Sequence, residues 1–355
     1  MKKRIAGFAI LVLVIASTFV YQNFLGPKLR KIVIDGYLGG EKSGLFDDDR
    51  FTGSMLKKYG LTIHYKKAGS IDMVSASLEG MDYLFPSSYT ALELYKQKYG
   101  SAYKRAEVVF NSPIVLYTRK SVSEAFKKQG WVHTEEETEY IDLVKLIDAV
   151  LTGTTWSSIG LDELYGNIYV ISTDPLKSNS GNMFAGLVAT MLNRGEVATG
   201  ESLAVNGPEL KSFFSKLGYL ESSSADLFSS FLKTGIGAKP VIVGYESQIL
   251  EFSVEHPAEW DYVKDDIVVL YPEPTVWSAH PFIALTDNGD RVIDALLAEE
   301  IQLLAWETHG FRTGIASGQQ SGKIFDIRGV PGQVKKVIRL PSPDTMQKIM
   351  DIISH

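Results

Sequence analysis

The stretch Ser172-Thr173-Asp174-Pro175-Leu176-Lys177-Ser178-Asn179-Ser180-Gly181-Asn182-Met183-Phe184-Ala185-Gly186-Leu187 sets hydroxyls, amides and glycine between two patterned segments. Ile168 to Ser172 reads as a strand, and about Asn182 to Asn193 reads as a helix. The free N–H groups of such a helix's first turn point into the preceding loop. With Ser178, Asn179, Ser180 and Asn182 adding polar groups, such a corner can hold an anion or a carboxylate by hydrogen bonds alone. A plain capped helix after a turn uses the same residue types. The corner therefore takes its meaning from the elements around it.

Upstream, Lys31-Ile32-Val33-Ile34-Asp35-Gly36-Tyr37 reads as a buried strand that ends in Gly39-Gly40-Glu41-Lys42, with a helix near Asp49 to Tyr59. A second strand, Leu61 to Tyr65, ends at Ala68-Gly69-Ser70 before a helix from Ile71 to Glu79. A third, Met81 to Phe85, stops at Pro86-Ser87-Ser88 before a helix from Tyr89 to Tyr99. Strands alternating with helices imply an α/β fold with parallel, doubly wound sheets. Ligands in such sheets sit beyond the carboxyl ends of the strands, where Gly39, Ser70, Ser87 and Ser88 fall.

The extended run Glu107 to Tyr117, interrupted by Asn111-Ser112-Pro113, reads as a crossing between two lobes. A second lobe follows through helices at Ile141 to Leu151, Glu209 to Leu217 and Ser224 to Thr234, and a strand from Lys239 to Tyr245. Ile267 to Tyr271 and His280 to Leu285 read as the return, followed by a helix from Asp290 to His309. The expected division is 28–112 for the first part of lobe one, 113–274 for lobe two, and 275–355 for the return to lobe one with a C-terminal extension. A hinge is expected about Asn111, Gly244 and the Pro274 region.

The 355 residues, 45% hydrophobic and 22% charged, suit two globular lobes. A net charge of -6 leaves no basic footprint for nucleic acid. The absence of cysteine removes thiol catalysis, thiolate metal sites, disulfides and lipid tethering through cysteine. Met1-Lys2-Lys3-Arg4 precedes an uncharged run from Ile5 to Pro27, long enough at ~1.5 Å per residue to cross a hydrocarbon core of about 30 Å. Residues 1–27 thus read as a signal anchor or signal peptide, the uncleaved anchor being favoured because the cleavage-like sites lie inside the apolar run. The basic residues stay inside, so the remainder faces outward.

No serine elbow, His-Glu-x-x-His helix, phosphate-loop lysine or dinucleotide fingerprint occurs, so no catalytic residue, cofactor or metal is assigned. Asp47-Asp48-Asp49 lacks the alternating ligands of a calcium loop and reads as the acidic start of the next helix. Glu135-Glu136-Glu137 reads as a solvated helix start. His280, before Pro281, and Trp277 fall near the expected crossing.

The segments Ala68-Gly69-Ser70, Leu78-Glu79-Gly80 and Asp82-Tyr83-Leu84-Phe85-Pro86-Ser87-Ser88 resemble the first lobe of the type 2 periplasmic-binding-protein fold, the solute receptors of ABC importers. The nearest group is the molybdate, sulfate and phosphate receptors. Thr173-Asp174-Pro175 to Ser180-Gly181 resembles that group's second-lobe anion loop, Gly244-Tyr245-Glu246-Ser247 its tyrosine-bearing hinge strand, and His309-Gly310-Phe311 its closing Tyr-Gly-Phe. The likeness covers most of residues 31 to 312. Glu41-Lys42, Lys67 to Ile71, Phe110 to Tyr117 and Ser178 to Phe184 also resemble bacterial extracellular solute-binding proteins.

This resemblance implies an exported monomeric receptor that closes on a small-molecule or ion solute and delivers it to an ABC permease, without chemistry. Carried over, it implies contacts from Ser70, an N–H at Ser180, Ser224 at a helix start, the Tyr245 phenol, and a first-loop contact at Gly40 or Glu41. Ser87, Ser88, Ser178, Asn179 and Glu246 complete the candidate ligand set. Glu41 departs from the pattern, which has a small or hydroxyl residue there. A carboxylate about 4 Å from an oxyanion repels it by roughly 4 kcal/mol at an effective dielectric of 20. An oxyanion is expected if Lys42 pairs with Glu41 or the glutamates point outward. A zwitterion or cation is expected if Glu41 and Glu246 both face the cleft. The reading from another class is a membrane-anchored scaffold or sensor that uses the same fold for protein contacts.

Overall fold

The computed structural model describes residues 31–218, 220–313 and 327–354, with Ser17 and Phe325. The expected membrane segment, residues 1–27, lies outside the described residues except for Ser17. Among the described residues no helix is long and apolar enough to cross a membrane.

The strands are β1 (Ile32–Leu38), β2 (Leu61–Lys67), β3 (Tyr83–Phe85), β4 (Arg105–Arg119), β5 (Val132–Glu135), β6 (Thr138–Ile141), β7 (Val241–Tyr245), β8 (Ile267–Pro272), β9 (Thr275–Ala284) and β10 (Val337–Ile338). In lobe one, β2, β1 and β3 run parallel, and β9 then β4 join antiparallel. Lobe two is built on the far half of β4, which pairs antiparallel with β7 and β8. Beyond β8 lie parallel β6 and then antiparallel β5. Both sheets are therefore mixed rather than wholly parallel. A chain that passes from one lobe to the other and returns must lay its crossing strands in opposite directions.

The long β4 gives the expected crossing a concrete form, since one strand belongs to both sheets. Pro113 lies within it opposite Trp277 of β9. Each lobe covers both faces of its sheet. In lobe one Ile34, Phe85, Phe110 and Val292 pack on one side and Met73, Leu84, Leu92 and Tyr95 on the other. In lobe two the two sides are Leu116, Phe184, Val188 and Phe213, and Tyr117, Phe228, Trp260 and Tyr271. Burial of each such large side chain contributes about 1.5–3 kcal/mol.

Several expectations shift. The segment Ile168–Ser172 makes a single bridge, Ile171 to Ile242, instead of a full strand. The following helix begins at Asn179, so the polar corner is the helix's own first turn. The segment expected as one helix from Asp290 to His309 is two, Asp287–Leu296 and Glu299–Glu307. Glu135-Glu136-Glu137 is not a helix start. Glu136 and Glu137 have φ of 48 and 71 and turn the β5–β6 hairpin, in which Glu135 pairs with Thr138. Strand pairing on both sides fixes this two-residue reversal, whose twist requires positive φ. The C-terminal helix Pro343–Ser354 packs Met346, Ile349 and Met350 into the lobe-two core, so the last segment does not extend lobe one.

Candidate functional site

The lobe-one strand ends meet the Asn179–Leu192 helix of lobe two. Ser70 Oγ accepts the Ser87 N–H at 2.9 Å, tying the loops after β2 and β3 together. The Ser87 carbonyl accepts from Asn179 Nδ2 and from Ser278 Oγ, each at 2.7 Å. Asn179 Nδ2 also lies 3.0 Å from the Tyr245 hydroxyl at the end of β7. One amide thus links the lobes and the hinge strand.

Close approach of backbones builds this corner. A Cβ at Gly69 would stand 3.0 Å from the Lys177 carbonyl of the other lobe, and one at Gly181 only 2.2 Å from the Thr173 carbonyl. Ser180, fully buried, has its hydroxyl 2.8 Å from Thr173 Oγ1 and 3.2 Å from Ser178 Oγ. Ser88 caps the Tyr89–Tyr99 helix by accepting the Thr90 N–H at 3.1 Å. Ser224 opens its helix behind the cap Ser223, and its carbonyl accepts from Gln248 Nε2 at 2.9 Å. Asn182 turns away toward Pro175 and Met350.

The charged centre lies on the short turn Gly40–Lys42 after β1. Gly40 is exposed, whereas Lys42 is wholly buried. The Lys42 ammonium meets the Glu41 carboxylate, Ser87 Oγ at 2.8 Å and His280 Nδ1 at 3.2 Å. The Ser87 hydroxyl in turn donates a hydrogen bond to Glu41. His280 Nε2 sits 3.2 Å from Ser278 Oγ.

Burial alone would raise the Glu41 carboxyl, but Lys42, His280 and Ser87 together hold it down at about 2. Burial lowers the Lys42 ammonium, and Glu41 opposes that. His280 is pushed down to about 3 by burial and then by Lys42, so the ring is neutral. A neutral ring that accepts from Lys42 at Nδ1 donates at Nε2 to Ser278, which completes a consistent proton chain. Tyr245 is pushed up by burial and then by the Glu41 charge, and keeps its proton.

Glu246 has a different setting. It is fully buried and clamped by Arg312 through Nε at 2.6 Å and Nη2 at 2.8 Å, with the Tyr271 hydroxyl also donating at 2.6 Å. Its oxygens are committed at the hinge.

Glu41 also borders a groove of about 870 Å³ between the lobes, with Phe228, Leu232, Phe252, Gln248 and Glu251 among its walls. Of these, Glu251 joins Glu255 and His309 in bringing ligand-type atoms within 4.8 Å of one another. His309 Nδ1 is already 2.6 Å from Glu251, and Nε2 is 3.2 Å from Asp48, so this cluster is an ion-paired link between lobes.

No family model matches the sequence, and no curated protein matches it. Solved structures do. An Agrobacterium tumefaciens substrate-binding protein of an ABC transporter superposes with a TM-score of 0.57 over 92% of this chain and 96% of its own, at 11% identity. A Bordetella parapertussis protein described as an extracellular solute-binding protein gives 0.58 over 91% and 98%, at 11% identity. The periplasmic binding protein AfuA of Actinobacillus pleuropneumoniae, with fructose-6-phosphate bound, gives 0.55 over 90% and 96%, at 12% identity.

The chain has the type 2 periplasmic-binding-protein fold.

In this binding-protein fold, the residues singled out from sequence divide into groups. Ser70, Ser87, Ser178, Asn179, Ser180 and Tyr245 converge where the lobes meet, with Glu41 beside them. Ser88 and Ser224 sit at the adjoining helix starts, and Glu246 lies in the hinge pair. Lys42, His280 and Ser278 join the centre without having been assigned to it. The only sequence signal for Lys42 was its position next to a glutamate at a strand end.

Proposed function

We propose that this chain is an outward-facing solute receptor of an ABC importer. Its lobes close by hinge motion about β4 on a small polar or charged solute, with an oxyanion group preferred. The observation that carries the reading is the meeting of Ser70 and Ser87 with Ser178, Asn179, Ser180 and Tyr245 across the lobe boundary. Pairing of Glu41 with Lys42 supports the oxyanion preference, because it cancels the charge that would repel an anion. Hydrogen bonds to a charged ligand contribute about 1.5–3 kcal/mol each, so a few of these groups suffice once the cost of association is met. The partners are an ABC permease and the membrane that residues 5–27 enter.

The test is thermal unfolding against oxyanions, carboxylates, amino acids, polyamines, sugars and divalent metals. A ligand bound only by the folded state adds about 2.7 kcal/mol at 100 times its dissociation constant. The expected result is a saturable shift with an oxyanion-bearing solute, weakened tenfold or more by Tyr245→Phe and by Ser70→Ala. Unchanged affinity in both variants removes these residues from the site. The direct lobe-to-lobe bond from Asn179 to Ser87 favours a second reading, a scaffold or sensor with fixed lobes. Absence of any solute-dependent shift selects it.

A further inference from the structure

The Glu41 carboxylate holds an unusual position. It accepts from a buried ammonium and from the Ser87 hydroxyl, lies 3.6 Å from His280 Nδ1, and borders the interlobe groove. Its two donors come from the turn after β1 and the loop after β3, while His280 Nδ1 on the crossing strand β9 accepts from the same Lys42 ammonium. That is the donor set a captured anion would want, and a side chain of the protein itself is using it. An added Cβ at Gly39 would fall 2.6 Å from Glu41 Oε1, 2.7 Å from Ser87 Oγ and 2.8 Å from Lys42 Nζ, so the corner is tightly filled. Gly40, in contrast, has nothing within 4 Å of where a Cβ would stand, which gives the turn room on its outer side.

We propose that Glu41 is a built-in stand-in for the solute's anionic group, and that capture is an exchange of one carboxylate-type anion for another on Lys42 and Ser87. This deepens the receptor reading and rests on it. The incoming group takes over the ammonium and the serine hydroxyl, and Glu41 turns out into the groove it already borders. The site's charge decides the class of solute. Lys42 supplies one positive charge and His280 is neutral, so a singly charged oxyanion replaces Glu41 with no change in buried charge. A dianion leaves one negative charge uncompensated in a low-dielectric site, which is unfavourable. The apolar walls at Phe228, Leu232 and Phe252 suit an organic body attached to that group. The solute class is therefore an organic monocarboxylate or a similarly singly charged oxyanion.

The exchange also explains why a lysine holds this place. Its ammonium is a compact charge with three equivalent donors, and it can trade acceptors without the planar matching that an arginine demands.

The experiment is calorimetric titration of the full chain and its Glu41→Gln variant with propanoate, benzoate, sulfate and putrescine. Removing the internal competitor is expected to tighten monocarboxylate binding at least tenfold, with a smaller gain for sulfate. Equal monocarboxylate affinity in the two proteins overturns the exchange while leaving the receptor reading intact. Binding of putrescine to the wild type that Glu41→Gln abolishes also overturns it, because Glu41 is then a ligand. Heat from no probe in either protein overturns the exchange, and the receptor reading is then decided by the wider thermal panel. A second variant guards against a folding artefact. Glu41→Ala leaves Lys42 unpaired above a carboxylate-sized space, and formate is expected to raise its melting temperature saturably while leaving the wild type unmoved. Failure of formate to distinguish the two overturns the proposal.

Discussion

Glu41 and Glu246 start as equals in the sequence, each a glutamate beside a candidate binding residue, and both end up paired with a buried cation. The pairs differ in what else holds them. Arg312 grips Glu246 with two parallel N–H bonds, and its other donors go to the carbonyls of Pro331 at 2.7 Å and Gly332 at 3.1 Å. Tyr271 closes the remaining approach. These groups come from β8, from the segment after Phe311 and from the C-terminal stretch, so the pair fastens distant parts of the hinge. Glu41 pairs with the very next residue, through a point charge rather than a fork, and one edge of it borders a groove. Burial of a charged pair therefore does not mark a binding group. The mark is an acceptor that can be exchanged without stranding its cation.

The largest expected effect breaks the hinge pair. Arg312→Met leaves Glu246 buried with Tyr271 as its one remaining side-chain donor among the described residues, and removal of one partner from such a pair costs about 3–5 kcal/mol. Urea unfolding measures it. A loss under about 1 kcal/mol would show that the hinge does not depend on this pair and would erase its contrast with Glu41. Next in size is Gly181→Ala. The added methyl meets the Thr173 carbonyl at 2.2 Å, and backbone must move in response. Overpacking of this kind costs about 1–3 kcal/mol. Because the displaced turn carries Asn179 and Ser180, solute affinity should fall with stability. Retained affinity in a destabilised protein would place the binding centre on the Glu41 side alone.

How much of this was legible in the sequence follows from the range of each interaction. The three lobe-one strands, the Tyr89–Tyr99 helix and the β4 crossing were readable because apolar runs and glycine–serine punctuation are local signals. Ser70 and Ser87 were placed by the strand-end rule and Ser180 by the polar corner, whereas Tyr245 and the meeting of the two groups followed from the family pattern. The hairpin at Glu136 was missed because glutamate, unlike aspartate, carries no turn signature, and the strand pairing of Glu135 with Thr138 imposes positive φ on Glu136 and Glu137. Glu246 could not be told from a cleft carboxylate, since its partner Arg312 lies 66 residues away. Lys42 had no burial signal, since a lysine in a glycine-rich turn ordinarily reaches solvent.

The smallest expected effect concerns the other bond between lobes, and it sharpens the comparison because it titrates. His309 is buried with Asp48 of lobe one on Nε2, and Glu251 and then Glu255 of the Glu246–Glu255 helix on Nδ1. Burial lowers the imidazolium, but Glu251, Asp48 and Glu255 outweigh it and raise the pKa above the ordinary value. Burial would raise Asp48, yet Arg50 and His309 hold it down at about 2, so it stays ionised. A raised histidine pKa contributes stability that is complete below the unfolded value of about 6.5 and is lost as pH rises through the folded value. Melting temperatures of the wild type and His309→Gln should therefore converge from pH 6 to pH 9, with the wild type falling faster. Parallel curves would mean that the imidazolium does not link the lobes. Convergence accompanied by unchanged solute affinity would separate the two interlobe contacts, with His309 setting how firmly the lobes close and Glu41 setting what they close upon.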